Sequence, residues 1–188
     1  MKRSRQLLQA TLGALALVLA TASAQSEPEF TFEAPVTERP VFGQKLSMLD
    51  QERAEYAENL SKYAANLVRT RKASEESLLQ ARRLLAVALH LSPRSKDALV
   101  VNFQLQKGLL PAEKQTDYSP EVLARLLLTR AQLLSKQNSE GDKLLARCFV
   151  ELAAFIDPRN EDAVYAYQIQ TIDHGEVDWK QVTDARKD

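Results

Sequence analysis

From about residue 47 onward, apolar side chains return every three or four positions, the period that gathers them on one face of an α-helix. Leu49, Tyr56, Leu60, Tyr63 and Leu67 form the first such stripe and predict a helix over about 48–71, with Ser47 as its cap. A second helix is predicted from Ser74 through Leu91: its hydroxyl caps the first turn, Glu75 and Glu76 favour the positive end of the dipole, and Pro93 stops it. The third runs over about 95–107 to Gly108, and a loop containing Pro111 follows. Ser119-Pro120-Glu121 is a strong start signal, with a capping hydroxyl, proline at the first helical position and an acid in the first turn; it opens a helix to about 136. A fifth helix follows Ser139 and ends before Pro158, and a sixth covers about 161–172. His174-Gly175 breaks that one, and the tail around Val177, Trp179 and Val182 adds a further short turn.

Residues 25–46 interrupt this regularity. Pro28, Pro35 and Pro40 fix the backbone and push their preceding residues toward extended conformations, so this Glu-rich segment is expected to be an extended linker or arm. Phe30, Phe32 and Phe42 leave two readings open, a plain tether or an arm that docks its aromatics on the helical body or on a partner.

The helices are not an arbitrary row. Ser92-Pro93-Arg94-Ser95-Lys96-Asp97-Ala98 aligns with Asp157-Pro158-Arg159-Asn160-Glu161-Asp162-Ala163 at a shift of 65 residues. At the same shift Ala81, Arg82 and Ala88 match Ala146, Arg147 and Ala153, while Leu85, Val87 and Leu91 correspond to Val150, Leu152 and Ile156. The small residues let a neighbouring helix approach closely, and the large one between them fills the space beside it. A helix–turn–helix unit of this kind needs a stacked neighbour to bury its apolar stripe.

In these residues the sequence resembles the tetratricopeptide repeat family. The family's second-helix pattern, small-x3-large-x2-Ala-x4-Pro, is met by Ala81, Leu85, Ala88 and Pro93, and again by Ala146, Val150, Ala153 and Pro158. The first helices lack the usual Trp, Leu-Gly and Tyr set, and Ala65 and Ala131 are the candidates for their small residue. The resemblance covers roughly 47–171. It implies an all-α fold of antiparallel helix pairs stacked as a short, two-unit α-solenoid, behind the extended N-terminal arm, with a groove that recognises a protein or peptide segment; a generic helical bundle is the alternative. Some family members hold a peptide's terminal carboxylate with Lys and Asn four residues apart. Lys62 and Asn66 have that spacing and are the candidate partner-binding residues, with a solvated helix face as the plainer account of both.

Composition and charge narrow the function. With 188 residues, 29 Leu and 25 Ala against 5 Gly and 7 Pro, the chain is a helical, globular one. The balance of 25 basic and 25 acidic residues hides an asymmetry, because residues 1–24 carry Lys2, Arg3 and Arg5 and no acid. That basic start, the apolar stretch around Leu12 to Ala20 and the ending Ala22-Ser23-Ala24 match a secretory signal peptide cleaved after Ala24. The remaining 164 residues hold 22 basic and 25 acidic side chains, a net charge of −3, which disfavours a nucleic-acid partner. Cleavage predicts a periplasmic or secreted protein; a membrane is expected only if the first segment is retained. The one cysteine, Cys148, lies in an apolar stretch and reads as a small buried hydrophobe.

Enzymatic signals are sparse. His90 and His174 have no metal-ligand spacing around them, although Asp173-His174-Gly175-Glu176 has donors for a metal on an exposed loop. The acidic pairs Glu75-Glu76 and Glu161-Asp162 sit at helix starts, and the Arg69–Lys72 and Arg82-Arg83 runs suit helix surfaces and ends. No cofactor, metal or catalytic residue is assigned. The expectation is a non-enzymatic exported helical-repeat scaffold that mediates a protein contact in the bacterial cell envelope. The alternatives are an envelope enzyme or enzyme subunit whose site is assembled only in three dimensions, and a membrane-anchored structural bundle.

If Ala88 and Ala153 are helix-contact positions, Ala88→Leu or Ala153→Leu will destabilise the fold by about 1–3 kcal/mol through overpacking. Thermal melts check this, and unchanged melting in both variants would count against close packing at the two sites.

Overall fold

A computed structural model describes residues 30–43 and 45–186. The expected signal peptide at 1–24 and the start of the arm lie outside the described residues. Among these the elements in chain order are β1 (Val36–Thr37), α1 (Asp50–Thr70), α2 (Glu75–Leu91), α3 (Lys96–Gln106), α4 (Pro120–Leu134), α5 (Glu140–Ile156), α6 (Glu161–His174), α7 (Trp179–Thr183) and β2 (Asp184–Ala185). The protein is all-α apart from the two short strands.

Most helix ends follow from local chemistry. The side chains of Ser74, Ser95, Ser119, Ser139 and Asn160 each accept from a backbone N–H in the first turn of α2 to α6. Ser47 is the exception: α1 begins after Leu49, which makes no side-chain cap. The backbone N–H and hydroxyl of Ser47 instead donate to the two carboxylate oxygens of Asp142, each at 2.8 Å. Asp142 is buried, and a buried carboxylate must be hydrogen-bonded, so it takes both donors that Ser47 has. Leu49, expected on the apolar stripe, lies just outside the helix and is 76% exposed.

The 65-residue correspondence reappears in backbone geometry. α2 ends at Ser92 with φ −142° and ψ 89°, and α5 ends at Asp157 with φ −132° and ψ 85°. The N–H groups of these residues close on the carbonyls of Ala88 and Ala153, and Ser95 and Asn160 cap the helices that follow. Both alanines, like Ala65 and Ala81, are fully buried, and Ala131 and Ala146 nearly so.

The chain forms two trios. α1 packs along α2 with α3 against both; α4 packs along α5 with α6 against both. Side chains of α1 and α2 join the trios. The Tyr56 ring lies 5.2 Å from that of Phe149 and its hydroxyl donates to the Leu126 carbonyl at 3.2 Å, while Arg130 pairs with Glu52 at 2.9 Å and Arg83 with Glu151 at 2.9 Å. The connection from α3 to α4 crosses α1, where Lys62, Asn66 and Arg69 hold it.

The arm docks. β1 pairs in parallel with β2, extended by a hydrogen bond from Arg39 N–H to the Ala185 carbonyl at 3.0 Å. Phe32 and Phe42 enter the same core as the helices. Phe42 passes so close to the first turn of α5 that a Cβ on Gly141 would collide with its carbonyl oxygen. Glycine inside a helix costs about 0.5–1 kcal/mol relative to alanine, and here it makes room for the arm.

Gly141→Ala should therefore lower the melting temperature of the whole chain but raise it when residues 25–43 are also deleted, by up to about 1 kcal/mol in stability. Urea melts of the four proteins in this cycle measure the sign change; the same sign in both backgrounds would show that the arm does not set the glycine requirement.

Candidate functional site

A concave surface lies between α4 and α6, with α5 as its floor. Its volume is about 1330 Å³. Leu128, Ala131 and Gln132 of α4 form one wall; Leu144 and Val150 of α5 line the floor; Tyr165, Ala166 and Ile169 of α6 form the other wall. Tyr165 is 68% exposed and Ile169 39%, so the site presents apolar surface to solvent inside a concave frame.

The groove reflects a difference between the two trios. At the 65-residue shift Val101 corresponds to Ala166 and Leu105 to Gln170. Val101 and Leu105 are fully buried where α3 meets its trio, whereas Ala166 and Gln170 are part-exposed and line the groove. Gln170 donates instead to the Arg147 carbonyl at 3.2 Å. The only buried residue of α6 is Ala163. This substitution of small and polar for large and apolar side chains is the trace of the groove in the sequence.

Arg147 holds the far end of α6, donating to the carbonyls of His174, Gly175 and Glu176 at 3.3, 2.9 and 3.0 Å. These are carbonyls at and beyond a helix C-terminus, where a cation is favoured. Gly175 adopts φ 73° and ψ −176°, a positive-φ conformation that glycine takes without a Cβ clash, and the chain turns away there.

Lys62 and Asn66 lie away from the groove, on α1 beneath the loop from α3 to α4. The Asn66 side chain donates to the Lys114 carbonyl at 2.9 Å and accepts from the Lys114 N–H at 2.8 Å. Lys62 pairs with Glu58 at 2.7 Å and Asp117 at 3.0 Å, and these carboxylates, Glu58 first, hold its ammonium above the usual lysine range. The two residues do converge at one place, and what they grip is the chain's own loop.

The other chemistry-bearing side chains are structural in their contacts. Cys148 is fully buried, and burial pushes its thiol up, away from the reactive thiolate. Glu151 accepts from Trp179 Nε1 at 2.6 Å and pairs with Arg83, whose guanidinium also lies 5.0 Å over the Trp179 ring. Burial raises the Glu151 carboxyl, against the lowering effect of Trp179 and Arg83. Tyr56 is pushed up to about 12, first by burial and then by Glu52. Among the described residues no group of three or more His, Cys, Asp or Glu side chains is placed to hold a metal ion. No family model, curated protein or solved structure matches this chain.

His90 sits between the arm and the tail, its ring 5.5 Å from Phe42 in an edge-on arrangement and its Nε2 2.9 Å from the Val182 carbonyl. A carbonyl only accepts, so Nε2 carries the proton. Burial lowers the His90 pKa, more than the Val182 bond raises it. The unfolded chain therefore binds a proton before the folded one, and this residue's stabilising contribution, complete above about pH 6.5, is lost as pH falls toward the depressed folded value. Glu151, raised in the fold, acts in the opposite sense above about pH 4.5. The stability difference between the native chain and His90→Gln isolates the histidine: it should shrink as pH is lowered from 7 to 5, and a difference independent of pH would sink this assignment.

Proposed function

We propose that this chain is a non-enzymatic, exported scaffold of two degenerate tetratricopeptide-like units that mediates a protein contact in the bacterial cell envelope. The observation that carries the reading is the groove between α4 and α6, which offers exposed Tyr165 and Ile169 within a concave frame large enough for a protein segment. Concave surfaces formed by packed helix pairs suit extended or helical segments of other proteins. The matched cap geometry at Ser92 and Asp157 supports the repeat reading. Export is motivated by the basic, apolar and small-residue regions of residues 1–24. No helix of the described residues is long and apolar enough to cross a membrane.

A photo-crosslinking amino acid placed at Tyr165, compared with the same group at exposed Glu75 on the start of α2, tests the reading in intact cells. A discrete adduct with one envelope protein at Tyr165 and none at Glu75 is expected, on a chain whose intact mass begins at Gln25. Adducts indifferent to position, or a chain retained with its first 24 residues, would overturn the corresponding half of the proposal.

A further inference from the structure

The groove wall contributed by α6 has an ordered pattern. Asp162, Tyr165, Ile169 and Asp173 follow at three- and four-residue spacings, which sets them in one stripe along the helix, and all four line the groove. The two apolar residues are central and the two carboxylates stand at the ends. Neither carboxylate has an ion pair or side-chain hydrogen bond among the described residues. Asp173 lies in the last turn of α6, where the helix dipole disfavours an acid, so local helix chemistry does not account for it.

Three other charged side chains line the groove. Lys143 pairs with Glu140 at 2.8 Å, and Arg147 keeps its charge while its guanidinium is directed at the carbonyls beyond α6. Asp162 and Asp173 are the unpaired carboxylates of the site, and they flank its apolar centre. Their separation of eleven residues along α6 is about 16 Å, about three turns of a helix.

We propose that the groove takes a helical segment of a partner protein that carries Lys or Arg at positions about eleven residues apart with apolar side chains between them. This rests on the groove being the partner site and adds the chemistry of what it accepts. The central apolar contact supplies most of the attraction, and the carboxylates set register and exclude acidic segments.

The test uses protein expressed from the full 188-residue sequence and a fluorescein-labelled Leu/Ala helix bearing two Lys eleven positions apart, with a twin bearing Glu at the same positions. The Lys peptide should bind in a salt-sensitive manner and the Glu peptide at least about tenfold more weakly. Asp162→Asn with Asp173→Asn should weaken the Lys peptide by about tenfold, and Asp162→Lys with Asp173→Lys should reverse the preference. These exposed positions leave the core intact, which an unchanged melting temperature verifies. Equal binding of the two peptides, binding insensitive to the substitutions, or no binding of the Lys peptide at millimolar concentration would overturn the proposal. An envelope protein captured at Tyr165 alongside any of those results would leave the partner site standing and remove only its cationic specificity.

Discussion

Arg82 lies in the middle of α2, and its guanidinium binds the two ends of the described chain at once. It donates to Thr183 Oγ1 at 2.8 Å and to Asp184 at 2.6 Å in the tail, and to Glu33 in the arm at 3.2 Å. Its side chain is only 12% exposed and Asp184 only 22%, whereas Glu33 is 80% exposed. The tail contact therefore dominates, since a solvent-exposed ion pair contributes little. Without these partners a largely buried guanidinium would be stranded, at a cost on the order of 3–5 kcal/mol. The β1–β2 pairing is two residues long and could not persist on its own; it is held in register because Arg82, His90 and Phe42 fix both segments against α2. The arm, the tail and the helices are in this way one cooperative structure.

The parts of this fold that were legible in the sequence are those that depend on neighbours a few residues away. Helix starts at Ser74, Ser95, Ser119, Ser139 and Asn160, the stops before Pro93 and Pro158, and the break at Gly175 are all fixed within one turn of chain. What escaped depended on distant partners. Arg82-Arg83 looked like ordinary surface charge because Asp184, Glu151 and Trp179 stand far along the chain. Ser47 carried a plausible capping hydroxyl, but Asp142, 95 residues away, takes it. Gly141 is unfavourable in a helix on local grounds, and the backbone of Phe42, distant in sequence, is what requires it.

The 65-residue correspondence sharpens this distinction, because matched positions share local roles and differ in their long-range ones. Ser77 and Asp142 correspond at the 65-residue shift and both are buried. Ser77 returns its hydroxyl to the Ser74 carbonyl at 2.8 Å, inside its own cap, whereas Asp142 reaches across to Ser47. Arg82 and Arg147 also correspond: the first closes the ends of the chain on α2, the second closes the end of α6. Ala86 is buried within the first trio, while its counterpart Glu151 joins the second trio to Arg83 and Trp179. The equivalent positions differ where one trio must meet the other or the terminal segments.

The same difference accounts for an open site in the second trio. Burial of a Val or Leu side chain stabilises by about 1.5–3 kcal/mol, and α3 contributes both Val101 and Leu105 to its trio. α6 has Ala166 and Gln170 at those positions and is anchored instead at its capped start and at the carbonyls that Arg147 holds. A helix fixed at its ends and thinly packed along its length leaves space between itself and α4, and it turns Tyr165 and Ile169 toward that space. The two apolar side chains that α3 buries have no equivalent on α6. Packing within the chain gives no reason for their absence; on the proposed reading a segment of another protein would supply the missing contact with its own apolar side chains.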